Sequence, residues 1–437
     1  MIRRYRLRRL LAPAVGFRKP SLLLLVGLIA FVLGAAISFR DQVPIFVDFI
    51  ARGTDNLLRP FIGNDALDKG RHLLGGVLLL AGIYLLVQGV RSGMRIVFAV
   101  LNPEAKDGLG KHYSRRLQLA QGPRIVALGG GTGLSTLLRG LKTHSSNITA
   151  IVTVTDDGGS SGRLSQEFGM IPPGDIRNCL VALADAEKSM TDLFQHRFSG
   201  DSGSLSGHSL GNLLIAALTN QARGDFERAI EIASDVLAIR GRVIPSTLDH
   251  VRLKALIEDG TELCGETTIV GSGQRIRRIF LDPEAVEAHP EAVAAIMEAD
   301  LICIGPGSVY TSVVPNLLVP GIAEALEKSE AMKAYICNVM TQKGESDSFT
   351  ASEHVTAIRA NVDRRIFDYV IVNTGIPTPS TLEKYRGAGQ LLVDPDMDRI
   401  RAMGYRVLAG DFMNETDMVR HDPMRIAARL VALVDRR

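Results

Sequence analysis

Residues 124–142, RIVALGGGTGLSTLLRGLK, contain the pattern that decides the fold. An apolar run at 125–128 ends in a cluster of glycines. Four leucines then follow at the spacing of one helix face: Leu134, Leu137, Leu138 and Leu141. The segment therefore predicts a buried strand, a tight turn and a helix.

Looser versions of the same unit recur along the chain. Four more apolar runs are each followed by polar or glycine residues: 147–155, 299–308, 333–340 and 367–373. Helix-like stretches such as 285–299 and 352–361 lie between them. This alternation predicts an α/β fold with a doubly wound, mostly parallel, Rossmann-like sheet.

One segment, about 240–281, breaks the alternation. Asp259 and Gly260 stand between two strand-like arms, which is a strong signal for a two-residue hairpin. We therefore expect an antiparallel insertion or edge within the same domain.

Two glycine-rich loops follow apolar runs, where doubly wound sheets bind ligands. The loop 129–133, GGGTG, leaves room for a phosphate close to the amides of the next helix. Leu134 replaces the third glycine of a dinucleotide fingerprint and there is no Walker lysine, so a nucleotide or sugar phosphate is favoured over NAD. The second loop is GPGS at 305–308. Either loop alone also fits a structural turn.

Asp156 and Asp157 follow the second apolar run, within TDDGGSSGRL at 155–164. Acids at this place can accept hydrogen bonds from sugar hydroxyls, and two of them beside a phosphate can hold Mg²⁺. Turn formation is the alternative, although it explains one aspartate more easily than two.

The stretch PPGDIRNC at 172–179 predicts a helix start with Asp175 as the N-cap. Arg177 and Asn178, in the first turn, are then free to reach a ligand.

GHSLG at 207–211 matches the G-x-S-x-G nucleophile elbow and raises the possibility of a serine hydrolase at Ser209. The elbow needs a buried strand before the serine, and a polar, glycine-rich stretch stands there instead. The segment is better explained as a loop entering a helix, with His208, Ser209 and Asn212 lining a pocket.

The N-terminal part predicts a membrane anchor over residues 1–100. Residues 20–39 and 72–90 carry no charge, and each is long enough to cross a hydrocarbon core of about 30 Å. Basic residues precede the first segment and follow the second, which predicts that both termini and the main domain are cytoplasmic at the inner membrane. A cleaved signal peptide and a buried helical hairpin are the alternatives. Residues 101–122 predict a linker, and 123–437 the main domain.

Charge and cysteine content exclude several classes of protein. The formal net charge of +3 over 437 residues comes largely from the basic flanks of the apolar segments, so nucleic-acid binding has no support. The four cysteines form no C-x-x-C pair, which predicts reduced thiols and no zinc site.

Six long stretches together resemble the CofD/YvcK family of 2-phospho-L-lactate transferases and gluconeogenesis factors. They are ALGGGTGLSTLLRGLK, VTVTDDGGSSGRL, PPGDIRNCLVALAD, GHSLGNLLIAAL, IGPGSVYTSVVPNLLVPGI and CNVMTQKGESD, followed by DYVIVN and RHDP. The resemblance covers most of 123–437, so the membrane segments are expected to be a departure from the family. The motif forms are similar to those of the YvcK branch.

The resemblance implies a set of ligand contacts in this chain. It places nucleotide phosphates at Gly130, Gly131, Thr132 and Gly133, with further contacts from Gly305, Gly307 and Ser308. Asp156 and Asp157 would line the pocket. Tyr385 would stack on a base and Arg420 would clamp a diphosphate. An ordinary surface aromatic and a solvated ion pair are the alternatives for these two residues.

The resemblance also implies a function. The YvcK branch implies a UDP-sugar ligand such as UDP-N-acetylglucosamine, and a regulatory, non-catalytic role in cell shape or envelope synthesis. The transferase branch implies the alternative, a metal-dependent transferase that uses a GDP-type donor with Mg²⁺ held by Asp156 and Asp157. A homo-oligomer is compatible with either.

Overall fold

The computed structural model describes residues 20–33, 35, 76–93, 117–185, 188–200, 202–415 and 418–434. The chain forms two compact units, Met1–Arg116 and Leu117–Arg437. Most of the predicted linker and the basic N-terminal flank lie outside the described residues. The second unit contains the α/β fold.

Twelve strands are found in the described part of this unit. In chain order they are β1 Ile125–Gly129, β2 Ile148–Val152, β3 Arg242–Pro245, β4 Arg252–Ile257, β5 Glu262–Cys264, β6 Ile276–Asp282, β7 Leu301–Ile304, β8 Met332–Ile336, β9 Tyr369–Asn373, β10 Arg406–Gly410, β11 Met413–Glu415 and β12 Val419–His421. Seven of them form one sheet in the order β10-β9-β8-β7-β1-β2-β3, and every neighbouring pair is parallel. The predicted parallel, doubly wound sheet is confirmed.

The central strands are buried on both faces, as parallel sheets require. Every residue of β1, β2 and β7 is buried. The helices that flank and connect the strands are Gly131–Leu141, Gly159–Phe168, Gly174–Leu183, Lys188–Gln195, Leu210–Gln221, Phe226–Leu237, Glu266–Ser272, Pro290–Glu298, Val314–Leu318, Ile322–Lys328, Ala351–Val362, Pro379–Gly387, Met397–Ala402 and Pro423–Val434. A 3₁₀ turn lies at Gly203–Leu205 and a π-helix at Val309–Val313.

The first helix follows β1 as predicted. Gly131–Leu141 buries all four leucines of its predicted apolar face. The C-terminal helix Pro423–Val434 packs against it at Gly140, where a Cβ atom would lie only 2.9 Å from the Cβ of Ala427. Glycine therefore permits a close helix–helix contact at this point.

The predicted antiparallel insertion is present but shorter than expected. The hairpin around Asp259 and Gly260 joins β4 to β5, and the small sheet has the order β5-β4-β6. The prediction that the insertion starts near residue 240 is wrong, because β3 pairs in parallel with β2, from Thr149 opposite Arg242. A second small antiparallel pair, β11–β12, lies near the C-terminus.

In the N-terminal unit the structure describes two helices, Pro20–Leu33 and Gly76–Gly93. By length and hydropathy, Gly76–Gly93 is the one continuous helix of the described chain that could cross a membrane. A bent pair, Val309–Leu318 with Ile322–Lys328, is comparably apolar, but it contributes to the core of the α/β unit. Residues 34 and 36–39 of the first predicted span lie outside the described residues.

Glycines allow the two N-terminal helices to pack closely. A Cβ atom on Gly82 would lie 2.7 Å from the Cα of Phe31, and one on Gly27 would lie 2.8 Å from the backbone nitrogen of Leu86. The two helices thus form a hairpin with direct backbone contact.

Candidate functional site

A cleft opens at the point of the parallel sheet where the strand order reverses, between β1 and β7. β2 and β3 lie on one side of β1 in the sheet, and β7 to β10 lie on its other side. The loops after β1 and β7 therefore face each other at the carboxyl edge, the usual ligand position in such sheets. They touch directly, since a Cβ on Gly133 would lie 2.8 Å from the carbonyl carbon of Pro306. The cavity between them has a volume of about 540 Å³.

The cleft brings together nine of the residues singled out from the sequence. They are Gly130, Gly131, Thr132, Gly133, Asp156, Gly307, Ser308, Tyr385 and Arg420. Six others do not line it: Asp157, Arg177, Asn178, His208, Asn212 and Gly305. The two glycine loops thus meet in one site, while the GHSLG segment lies elsewhere.

The first glycine loop presents free backbone donors to the cleft. The amides of Thr132 and Gly133, in the first turn of Gly131–Leu141, have no hydrogen-bond acceptor among the described residues. Gly131 adopts a positive φ of 62°, which favours glycine. Free amides at a helix N-terminus attract anions.

Asp175 is a cleft residue that sequence reasoning assigned to a structural role. The predicted N-cap is wrong, because Pro173 occupies that position and Asp175 lies inside the first turn of Gly174–Leu183. Its carboxyl group borders the cleft and accepts a hydrogen bond from the Gly131 amide. Burial among protein atoms, together with the charge of Asp156, raises the pKa of Asp175 to about 7.

Asp156 and Asp157 have different surroundings. Asp156 lines the cleft, its Oδ1 accepts a hydrogen bond of 2.9 Å from the Gly158 amide, and burial raises its pKa. Asp157 instead accepts hydrogen bonds from the amide and hydroxyl of Thr267 at 2.9 and 2.8 Å. The second aspartate therefore holds the start of the helix Glu266–Ser272.

Glu266 also lines the cleft, although nothing in the sequence pattern pointed to it. Burial, followed by the negative charges of Asp156 and Asp175, raises the pKa of Glu266 to about 9. Its carboxyl group hydrogen-bonds to the side chain of Thr311. Three carboxyl groups, those of Asp156, Asp175 and Glu266, therefore line the cleft.

The described residues contain no group of three or more His, Cys, Asp and Glu side chains placed to hold a metal ion. Mg²⁺ commonly takes only one or two protein carboxylates and completes its shell with water and ligand phosphates. Asp156 is placed for that role, whereas both hydrogen bonds to Asp157 come from Thr267. The Mg²⁺ site stays a prediction.

A separate buried polar cluster holds the GHSLG segment. His208 Nδ1 lies 3.0 Å from the Ser160 hydroxyl, which also accepts from Asn212 Nδ2 at 3.1 Å. Arg177 donates to Ser209 and to Asn178. These contacts join three helix starts, those of Gly159–Phe168, Gly174–Leu183 and Leu210–Gln221, and the predicted ligand-binding residues of the cluster bond to neighbouring side chains.

Ser209 lacks the surroundings of a catalytic nucleophile. It is 1% exposed and caps the helix Leu210–Gln221, accepting from the Asn212 amide. The neighbouring His208 contacts Ser160 rather than Ser209. The geometry therefore gives no support to a serine hydrolase, which needs a base within reach of an accessible hydroxyl.

Two basic residues also line the cleft. Lys384 and Arg420 line it, and neither has a carboxylate partner among the described residues. Tyr385 lines it too, and its hydroxyl accepts a 2.8 Å hydrogen bond from the Val419 amide. This bond ties the helix Pro379–Gly387 to β12, which carries Arg420.

Comparisons with known proteins agree with this architecture. The family model described as 2-phospho-L-lactate transferase CofD matches residues 125–413. The chain belongs to the CofD/YvcK family. The predicted resemblance to this family is thereby confirmed. The matched range includes both glycine loops and the carboxyl groups that line the cleft.

The similar curated proteins bear the name of the YvcK branch. A gluconeogenesis factor from Bacillus subtilis is 49% identical over 317 residues, which cover 72% of this chain and 99% of that protein. A relative from Nostoc sp. is 44% identical over 424 residues, covering 96% of this chain and 91% of its own. That second alignment must include both N-terminal helices, so this relative shares the N-terminal segments, whereas the Bacillus subtilis protein is matched over almost its whole length by 72% of this chain.

A solved structure corresponds to the α/β unit alone. A UPF0052 family protein from Bacillus halodurans is 47% identical, with a TM-score of 0.68, and the match covers 71% of this chain and 99% of that one. A chain of this kind therefore folds without a counterpart of the N-terminal helices.

Proposed function

We propose that the cleft binds a nucleoside diphosphate sugar, with UDP-N-acetylglucosamine as the first candidate, and that the protein acts as a regulator. The observation that carries the proposal is the polarity of the cleft. The cleft combines the free amides of Thr132 and Gly133, the cations of Lys384 and Arg420, which have no carboxylate partner among the described residues, and the carboxyl groups of Asp156, Asp175 and Glu266. The amides and cations match phosphates, and the carboxyl groups match a hydroxyl-rich sugar.

The amides and cations of the cleft support a diphosphate. Amides at a helix N-terminus and guanidinium groups both donate hydrogen bonds to phosphate oxygens. Thr132 and Gly133 supply the amides and Arg420 the guanidinium group, while the ring of Tyr385 is available to stack on a base. The volume of about 540 Å³ lies within the usual range for small-molecule sites.

Calorimetric titration with UDP-N-acetylglucosamine, GDP and NAD tests this proposal. We expect UDP-N-acetylglucosamine to bind, and Arg420→Ala to weaken binding at least about tenfold, because a charge-assisted hydrogen bond is lost. Arg425→Ala is the matched control, since Arg425 pairs with Asp411 and Asp422 on the surface. Absence of UDP-sugar binding would refute the proposal.

A second candidate is a metal-dependent transferase that uses a GDP-type donor. It is favoured by Asp156 and Asp175 side by side in the cleft, since the pKa of about 7 for Asp175 suits a proton acceptor at neutral pH. In this proposal Asp156 would hold Mg²⁺ against the donor phosphates. Turnover of a guanylylated phospholactate donor that requires Mg²⁺ and disappears in Asp156→Asn would support it, and lack of turnover with Mg²⁺ present would remove it.

We further propose that the N-terminal hairpin anchors the protein in the membrane. Both helices expose large apolar side chains, which lipid would cover: Leu22, Leu25, Leu28, Ile29, Leu80 and Val87. Gly76–Gly93 is about 27 Å long at 1.5 Å per residue, close to the hydrocarbon thickness. Close glycine contacts are typical of paired membrane helices.

Alkaline carbonate extraction tests the anchor. The full chain should stay in the membrane pellet, whereas residues 117–437 expressed alone should be released. In intact spheroplasts the α/β unit should resist added protease, as expected for a cytoplasmic domain. Release of the full chain by carbonate would contradict the anchor, and digestion in spheroplasts would contradict the orientation.

A further inference from the structure

The two glycine loops of the cleft differ in what they can donate. In the first loop the amides of Thr132 and Gly133 have no acceptor within the described chain. In the second loop the Gly307 amide donates to Asn338 Oδ1 at 3.1 Å, and Asn338 Nδ2 returns a hydrogen bond of 2.9 Å to the Gly307 carbonyl. The Asn338 side chain thus already accepts from the Gly307 amide, which a phosphate would need to be free.

Glu345 satisfies the rest of the second loop. It is 8% exposed and its Oε1 accepts hydrogen bonds from the hydroxyl groups of Ser308 and Thr311, at 2.6 and 3.3 Å. Burial raises the pKa of Glu345, and the hydrogen bonds from the two hydroxyl groups and from the backbone amides of Tyr310 and Thr311, at the start of the π-helix Val309–Val313, oppose that rise by stabilising its charged form. The carboxylate therefore lies where an anionic ligand would otherwise meet a helix N-terminus.

The hydrogen-bond direction at Ser308 follows from this contact. The Ser308 hydroxyl donates to Glu345 Oε1, so its proton is directed towards Glu345. The oxygen lone pairs of Ser308 are then left for the cleft, which Ser308 lines. Glu266 and Asp156 also line the cleft and offer carboxyl oxygens there, and the Glu266 carboxyl group is neutral at pH 7 because its pKa is raised to about 9. Such a surface accepts hydrogen bonds from ligand hydroxyl groups and repels phosphate oxygens.

We propose that Glu345 is a built-in anion that closes the second glycine loop to phosphate and makes Ser308 a receptor for hydroxyl groups of the ligand's sugar. The proposal rests on the nucleotide-sugar function proposed above and sets the orientation of the ligand. The diphosphate lies on the first loop beside Arg420, and the sugar lies against Ser308. The phosphate contact implied for Ser308 and Gly307 by family resemblance is replaced by a sugar contact.

Titration calorimetry of the full chain in detergent, with UDP and UDP-N-acetylglucosamine as separate ligands, tests the proposal. Ser308→Ala should weaken binding of the nucleotide sugar about fivefold to tenfold, the effect of one hydrogen bond. The same substitution should leave the UDP affinity within about twofold. Ser234→Ala is the matched control, because the Ser234 hydroxyl donates to the Ile230 carbonyl of its own helix.

Glu345→Gln provides a second test, because it keeps the shape and removes the charge. UDP should bind more tightly to this variant, and the ratio of the two affinities should fall towards one. Thermal unfolding of each variant establishes that it is folded. If Ser308→Ala weakens UDP as much as the nucleotide sugar, phosphates bind the second loop and the orientation is wrong. If the unaltered chain binds UDP but no nucleotide sugar, the proposed function itself fails.

Discussion

Gly140→Ala should destabilise the α/β unit through a single atom. The new Cβ would overlap the Pro423 carbonyl oxygen, and it would lie 2.6 Å from the carbonyl carbon of Pro423 and 2.9 Å from the Cβ of Ala427. Unstrained carbon contacts need about 3.5–4.0 Å, so the helices Gly131–Leu141 and Pro423–Val434 must separate. Overpacking of this kind costs about 1–3 kcal/mol, against a gain of up to about 1 kcal/mol in helix propensity.

Gly271→Ala isolates the packing effect. Gly271 also lies in a helix, but nothing is within 4 Å of the position its Cβ would take. This variant should therefore be up to about 1 kcal/mol more stable than the parent. Thermal unfolding of residues 117–437 measures both, with roughly 2 °C expected per kcal/mol for a domain of this size. Equal melting temperatures for the two variants would refute the close packing at Gly140.

Three further predictions concern the cleft and its surroundings. The pKa of about 7 for Asp175, raised from 3.8, means that the folded state retains a proton which the unfolded state releases, so the free energy of unfolding should fall between about pH 4 and 7. The slope of the unfolding free energy against pH should be less than about 1.4 kcal/mol per pH unit, because water in the cleft screens the Asp175 carboxyl group. Denaturant titrations at several pH values should show a flatter dependence of the unfolding free energy on pH for Asp175→Asn. Ser209→Ala should lower the stability by about 1 kcal/mol in denaturant titrations through loss of the N-cap, and the folded parent should not react with a fluorophosphonate probe; labelling at Ser209 would contradict its assigned role. Tyr385→Phe should weaken UDP-N-acetylglucosamine about fivefold in calorimetry, because the Val419 amide loses its acceptor and β12 loosens; an unchanged affinity would exclude that positioning role.

Local sequence pattern was sufficient for the elements that contain their own signal. The alternation of apolar runs and glycine turns predicted the parallel sheet, and the four leucines after β1 predicted the buried face of the first helix. Asp259 and Gly260 predicted a hairpin that is present. β3 was missed as a parallel strand, since four residues at the edge of a sheet have no pattern that distinguishes parallel from antiparallel pairing.

The site was predicted only where a turn motif marked it. Gly130 to Gly133 and Ser308 were found because glycine loops after strands are visible in one dimension. Glu266 and Glu345 were missed: Glu266 is an isolated acid in a segment without a motif, and Glu345, although within the quoted stretch CNVMTQKGESD, reaches Ser308 only through packing between residues that are 37 positions apart. Asp175 was found but assigned to a cap, since an acid at a helix start has the same local sequence whether it faces its own helix or a neighbouring loop.

The sequence by itself determined the class of sheet, the two strand-end loops and the apolar N-terminal segments, because these depend on contacts within about ten residues of chain. Tertiary structure alone decided that β1 and β7 are neighbours, that Asp157 bonds to Thr267, and that Glu345 lies beneath Ser308. Those pairs are separated by between 37 and 176 residues, and a hydrogen bond or a shift in pKa depends on distance in space rather than on position in the chain.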